Sequence, residues 1–164
     1  MARMTDPSDA LNSFQQALRH GEVRPQRCET DSNLFVHLDH PNGEVRITYV
    51  RIYHETVTAL ASFILGAPID GLPCFSIGYA VPEKFRNQGR AKDIIEAGIA
   101  EMKYGLFSRA NISSFYVEAV IGVDNKPSRH VAAATISFNP LPVTDHVSGL
   151  PAFQYVRKIE NNTV

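Results

Sequence analysis

The residues best placed to do chemistry lie in the run Tyr79-Ala-Val-Pro-Glu-Lys-Phe-Arg-Asn-Gln-Gly-Arg-Ala91. Its apolar start alternates as a strand does, a short loop follows, and Gly89 stands just ahead of an amphipathic helical pattern. Such a junction aims unpaired backbone N–H groups and the positive end of a helix dipole at one point, which suits a phosphate. Arg86 and Arg90 flank the glycine and can add charge-assisted hydrogen bonds. The chemistry expected here is the grip of a pyrophosphate. The plain structural alternative is a helix start with a solvated basic edge. Two rival phosphate-binding strings are missing from the chain: the Gly-x-Gly-x-x-Gly of a dinucleotide fold and the Gly-Lys-Ser/Thr of a nucleotide P-loop.

Other polar residues stand in less committed surroundings. Glu118 interrupts the apolar strand Phe115 to Ile121, where burial would make a carboxylate a better base. The alternative is a glutamate on the open side of a sheet, paired with an arginine. Asp124-Asn125 caps a short helix running to about Thr135, whose residues Ser128, Ala132, Ala133 and Ala134 are small. His130 on that helix and His54 near a strand turn are most simply solvent-facing. Cys28 and Cys74 make neither a disulfide framework nor a zinc pattern, and Cys74 fits a buried small hydrophobe.

These residues need a scaffold, and the hydrophobic periods supply it. Asp6-Pro7-Ser8 is a helix start, Leu11, Phe14 and Leu18 fall at helical spacing, and Gly21 closes the helix. Glu22 to Asp31 reads as a connector. Leu34, Val36 and Leu38 alternate, His40-Pro-Asn-Gly43 turns the chain, and Val45, Ile47 and Tyr49 continue beyond it. Val57 to Leu65 is almost wholly apolar, as a central strand buried on both faces must be. A loop over Pro68 to Pro73 precedes a strand carrying Phe75, Ile77, Tyr79 and Val81. From Ala91 the period becomes helical, with Ile94, Ile95, Gly98, Ile99, Met102 and Leu106 on one stripe. Lys92, Asp93, Glu96, Glu101 and Lys103 face away. Gly98 on the apolar stripe permits close packing on a sheet. A loop rich in proline and glycine, Pro140 to Pro151, leads to a last strand over Phe153 to Ile159. The order helix, four strands, helix, strand, helix, strand indicates one α/β domain with a mixed sheet.

The 164 residues, 44% hydrophobic and 20% charged, fit a single domain over 1–164 with a substantial core. A net charge of −1 gives no general reason to expect nucleic acid or an acidic membrane as partner. No run reaches the ~18 apolar residues that span a bilayer. Met1 to Ser8 lacks the apolar core of a signal peptide, so the cytoplasm is the expected location.

The pattern Arg86-x-x-Gly89-x-Ala91, following Ile77-Gly-Tyr-Ala-Val81 and Pro82, resembles the acyl-CoA loop of the GNAT superfamily of N-acetyltransferases. A second segment, Val117-Glu-Ala-Val and then Asn125-x-x-Ser128-x-x-Val131-Ala132, resembles that family's fifth strand and following helix. The matching region runs from Phe75 to Phe138, with a compatible strand beyond. The resemblance implies a single α/β domain whose mixed, mainly antiparallel sheet is flanked by helices, with acetyl-CoA as acyl donor. The amides of Arg86, Asn87, Gln88, Gly89, Arg90 and Ala91 would then hold the pyrophosphate. Tyr79, Ala80 and Val81 would pair with the pantetheine arm and polarise the thioester carbonyl, with Asn125 and Ser128 completing the cofactor side.

Transfer would be direct, to an amine of a small molecule or of a protein N-terminus or lysine. An aminoacyl-tRNA suits a net charge of −1 least. Glu118 is the preferred base. A tyrosine that many family members place near Ala132 or Ala133 is absent here, so Ser128 or Tyr155 substitutes as acid, or the thiolate leaves unaided, since thiols have a pKa of only about 8.5. Ser137-Phe138 also replaces the usual Gly-Phe. These departures leave open a non-catalytic acyl-CoA-binding or regulatory module, or an interaction domain with no cofactor. The terminal strand can pair with a second copy, giving a homodimer. The second-to-third strand region and the Pro140–Pro151 loop are expected to shape the acceptor pocket.

Overall fold

Asp6 caps the first helix as its sequence requires: its backbone is extended and its carboxylate accepts from Ser8 N at 2.9 Å. The structure, a computed structural model, describes residues 6–161. Residues 1–5, most of the segment expected to lack a leader, lie outside the described residues. Helix α1 (Pro7–Arg19) buries Leu11 and Phe14 and hands over to Gly21, whose φ of +69° is left-handed. The strands β1 (Gln26–Arg27), β2 (Phe35–Asp39), β3 (Arg46–Tyr53), β4 (Thr56–Leu65) and β5 (Cys74–Ala80) follow. Then come α2 (Arg90–Ser108), β6 (Ser114–Gly122), α3 (Lys126–Thr135), β7 (Leu141–Thr144) and β8 (Pro151–Glu160).

One eight-stranded sheet takes the order β1-β2-β3-β4-β5-β6-β8-β7. All of its pairings are antiparallel except β5 with β6, which the helical crossover α2 makes parallel. The turn at Pro41–Gly43, with Asn42 and Gly43 both at positive φ, joins β2 to β3 as expected. Strand β4 is central and buried on both faces: Ala59, Ala61 and Phe63 join the core under α2, while Val57 and Leu60 pack beneath α1. The helix stripe Ile94, Ile95, Ile99 and Met102 is buried on the sheet. Both cysteines are buried, and burial pushes the Cys74 thiol up to about 11, which removes it as a nucleophile at neutral pH.

Several sequence expectations change. The connector Glu22–Asp31 contains β1, and the Pro140–Pro151 loop contains β7. The last strand is an edge only in part: β7 covers its first residues, Pro151–Gln154, while Tyr155–Glu160 pair with β6 alone. Leu38, on the apolar alternation, is exposed. Glu101 does not face solvent freely. It reaches across to accept from Glu29 N, Thr30 N and Thr30 Oγ1, fastening the connector to α2. Burial opposes its charge, but the Thr30 hydroxyl, the Glu29 and Thr30 amides and Arg109 outweigh that and hold its carboxyl below the ordinary value.

Candidate functional site

The site begins where two neighbouring strands part. Strand β5 is laddered to β4 from Phe75 to Ala80, and β6 to β8 along its whole length. Between β5 and β6 the ladder covers only Cys74–Ser76 against Tyr116–Glu118. Beyond those residues the strands diverge, and the facing backbone edges from Ile77 and from Ala119 onward do not pair with each other. A cleft of about 630 Å³ opens at this end of the sheet. Its walls are Tyr79 and Ala80 from β5, Val81 and the loop into α2, and Asn125, the cap of α3, with Pro127, Ser128, His130 and Val131 from that helix.

Local sequence dictates the loop. Pro82 follows β5, and a single 3-10 turn at Glu83–Phe85 closes through Phe85 N to Pro82 O at 2.9 Å. Asn87 and Gly89 then take φ of +61° and +72°, reversing the chain into α2. Asn tolerates this conformation better than most residues, and Gly adopts it freely. Gly89 occupies the N-cap position and provides no side-chain cap. The first helical bond is Asp93 N to Gly89 O at 3.0 Å. The N–H groups of residues 87–92 therefore take no partner among the described residues, although most helix starts use a Ser, Asp or Asn side chain for this purpose. Of these residues Asn87, Gly89, Arg90, Ala91 and Lys92 line the cleft, at the positive end of the α2 dipole.

The two arginines are held rather than free-swinging. Arg86 Nε donates to Val81 O at 2.9 Å, folding that side chain against the strand end. Arg90 lies over the Phe85 ring at 5.2 Å, and its Nε donates to Gln88 Oε1 at 3.2 Å. Gln88 itself does not line the cleft. Across the gap, the Asn125 side chain accepts from Ser128 N at 3.3 Å and caps α3. The Tyr79 hydroxyl donates to Ser128 O at 2.6 Å, tying β5 to α3 over the open end. Burial, with Tyr155 nearby, drives the Tyr79 phenol well above its ordinary value, so it stays protonated at neutral pH.

The three catalytic candidates separate. Ser128 lines the cleft. Tyr155 is almost fully buried and lines a second cavity of about 500 Å³ along the neighbouring face of α3. Glu118 lines neither. It stands opposite Ser76 at the last paired position of β5 and β6, on the face of β6 away from the buried Val117 and Ala119, and its Oε2 accepts from Gln154 Nε2 at 2.8 Å.

Two contributions were not read from the sequence. Asp6, Pro7 and Ser8 form one wall of the cleft, because the start of α1 packs on β5: a Cβ on Gly78 would stand 3.4 Å from Pro7 Cγ. His130 is exposed, as expected, yet it lines both cavities. Its spacing with Lys126, Arg129 and Ala133 was the available signal, since those positions share a helix face. Among the described residues, no His, Cys, Asp and Glu cluster could hold a metal ion, and no helix is long and apolar enough to cross a membrane.

No protein-family model and no curated protein sequence matches the chain. Solved structures do. An acetyltransferase of the GNAT family from Streptococcus pneumoniae matches with a TM-score of 0.53 at 9% identity, over 97% of this chain and 98% of that one. A ribosomal-protein-S5-alanine acetyltransferase from Vibrio fischeri gives 0.50 at 14% identity, over 74% and 63%. A chain of the NatC complex bound to Gag peptide and CoA gives 0.50 at 14% identity, over 68% and 70%. The chain spans only 61–63% of the length of the first ribosomal-protein acetyltransferases it matches. The likeness to these acetyltransferase structures shows the fold: this mixed α/β domain has the GNAT fold.

Proposed function

We propose that the chain, as one domain over residues 1–164 acting in the cytoplasm, transfers an acetyl group from acetyl-CoA to an amine of a small molecule or of a protein N-terminus or lysine. The observation that carries this is the uncapped start of α2. Residues whose N–H groups are free, Asn87 and Gly89 to Lys92, line a cleft that opens between two parted strands. A diphosphate supplies the acceptors those donors lack, and the unpaired edge of β5 beyond Ser76 offers the backbone hydrogen bonds an extended amide-bearing arm would take. A helix terminus gains only about 0.3–2 kcal/mol from an anion, and micromolar affinity needs about 8 kcal/mol. The rest must come from the further amides, the spare donors of Arg86 and Arg90, and burial of the arm along Tyr79, Ala80 and Val81.

Acetyl-CoA supplies the acetyl group already activated as a thioester. The acceptor nitrogen forms the new N–C bond as the C–S bond breaks, the sulfur departs as thiolate, and the ammonium proton passes to a base or to water. Backbone N–H groups at the end of β5 are placed to stabilise the carbonyl oxygen as it gains charge. Ser128 lines the cleft and, with the Tyr79 hydroxyl already donating to Ser128 O, is the donor assigned here to the thiolate. Glu118 as base requires the acceptor to reach the point where β5 and β6 part; otherwise water carries the proton.

A non-catalytic acyl-CoA-binding module is the second reading. It is favoured by the alanines at 132 and 133, and Ala132 is fully buried in the core. Thermal unfolding with acetyl-CoA, followed by a transfer assay over a panel of amines, separates the two. Acetyl-CoA at a hundred times its Kd is expected to raise stability by about 2.7 kcal/mol, and acetylated product is expected from at least one amine. Stabilisation without product from any amine favours the module. No stabilisation removes the cofactor altogether.

A further inference from the structure

The second cavity, of about 500 Å³, lies along the face of α3 next to the cofactor cleft and within the range that takes a small molecule. Lys126, Arg129, His130 and Ala133 form one face of α3 and line it, opposite Phe138, Pro140 and Tyr155. It has no acidic lining residue, although the chain as a whole has a net charge of −1. Lys126 and Arg129 enter no ion pair among the described residues.

Arg129 is built in rather than solvated. Its guanidinium lies 4.5 Å from the centre of the Phe153 ring, and one Nη donates to Val123 O at 2.9 Å. Its Nε is buried and has no hydrogen-bond partner. Buried donors are rarely left so, and a fixed guanidinium with spare donors matches a carboxylate or phosphate. His130 lines both this cavity and the cofactor cleft, so the two adjoin at that side chain.

We propose that this cavity receives the acceptor, and that Arg129, with Lys126 at the rim, selects small amines carrying an anionic group, a carboxylate or a phosphate. This rests on the acetyl-transfer function proposed above. The anion is held by the α3 face while the amine passes His130 towards the thioester. Bond changes are those of the acetyl transfer already given: N–C forms, C–S breaks, and the thiolate leaves.

Three amines of similar length test it: β-alanine, phosphoethanolamine and n-propylamine. In the wild-type protein kcat/KM for at least one anionic amine is expected to exceed that for n-propylamine by about tenfold or more, the worth of one charge-assisted hydrogen bond. Comparing β-alanine with phosphoethanolamine identifies the anion. Arg129→Met is expected to cut the anionic-to-neutral ratio about tenfold, mainly through KM, with acetyl-CoA affinity by calorimetry retained. Lys126→Ala, at an exposed position, is expected to lower the same ratio less and guards against a folding defect in the Arg129 variant. Equal use of all three amines by the wild type, or an unchanged ratio in both variants, overturns the proposal.

Binding can also be read without turnover. Titration with β-alanine or phosphoethanolamine is expected to move the Arg129 Nε–H resonance, and no movement with either counts against the cavity. Failure to bind acetyl-CoA, with that resonance still moving, would instead strike the acetyl-transfer function alone.

Discussion

Gly89→Glu is expected to abolish acetyl-CoA binding, with at least a hundredfold loss of affinity, about 2.7 kcal/mol, while leaving the fold intact. The fold tolerates the change because a Cβ at this position meets no atom within 4 Å. The left-handed φ of +72° costs a non-glycine residue roughly 1–2 kcal/mol. The larger effect lies in the cleft. A glutamate there occupies space needed by the diphosphate, repels it, and offers its own carboxylate to the N–H groups of residues 87–92. Gly89→Ala is expected to fall between, since it adds the backbone strain and one methyl group but no charge. Calorimetric titration gives both affinities, and a cooperative unfolding transition with its midpoint lowered by only roughly 2–8 °C in the glutamate variant separates lost binding from lost structure. An unchanged affinity would detach this loop from the cofactor.

Gly98→Leu is expected to have the largest effect on stability, about 3 kcal/mol. Helix α2 lies so close to the sheet here that even a Cβ would stand 3.0 Å from Tyr49 Cδ2 and 3.1 Å from Phe63 Cε2. Those two rings are themselves packed edge to face at 5.5 Å and are almost fully buried, so neither has room to retreat. A leucine must lift the helix, and with it the loop at its start. Alanine is a finer probe: it gains up to about 1 kcal/mol of helix propensity against a crowding cost of similar size, so a small net change of either sign is expected. Thermal or urea unfolding measures both variants. For the leucine variant the midpoint is expected to drop by roughly 6–12 °C, and a wild-type midpoint would show that the packing is looser than described.

What could be read from the sequence follows the range of the forces involved. The Asp6 and Asn125 caps, the Asn42-Gly43 turn, the α2 stripe and the Gly89 junction are set by neighbours within a few residues, and each is found where it was expected. Strand β4 was legible because an unbroken apolar run has few other uses. The short strands were not. β1 and β7 exist by virtue of their partners, Gln26 against Val36 and Leu141 against Gln154, and two to four residues carry no pattern of their own. The covering of the start of β8 was hidden for a related reason: β7, the strand that pairs with Pro151–Gln154, was read as loop.

The site divides in the same way. The loop from Pro82 to Gly89 was legible as a local motif. The position of Glu118 was not, since alternation tells that it faces away from Val117 but not that it falls outside the lining of the cleft. The Asp6–Ser8 wall and the two-sided role of His130 arise from packing between elements distant in sequence, which no local pattern encodes. Local chemistry was therefore more visible than the geometry that surrounds it.

The most direct measurement is a crystal structure of the chain grown with acetyl-CoA. The diphosphate is expected within hydrogen-bonding distance of the free N–H groups of residues 87–92, with the pantetheine arm laid along Tyr79 to Val81 where β5 leaves β6. A carrier bound elsewhere on the molecule, with the turn at Gly89 empty or filled by a side chain of the protein itself, would contradict that claim.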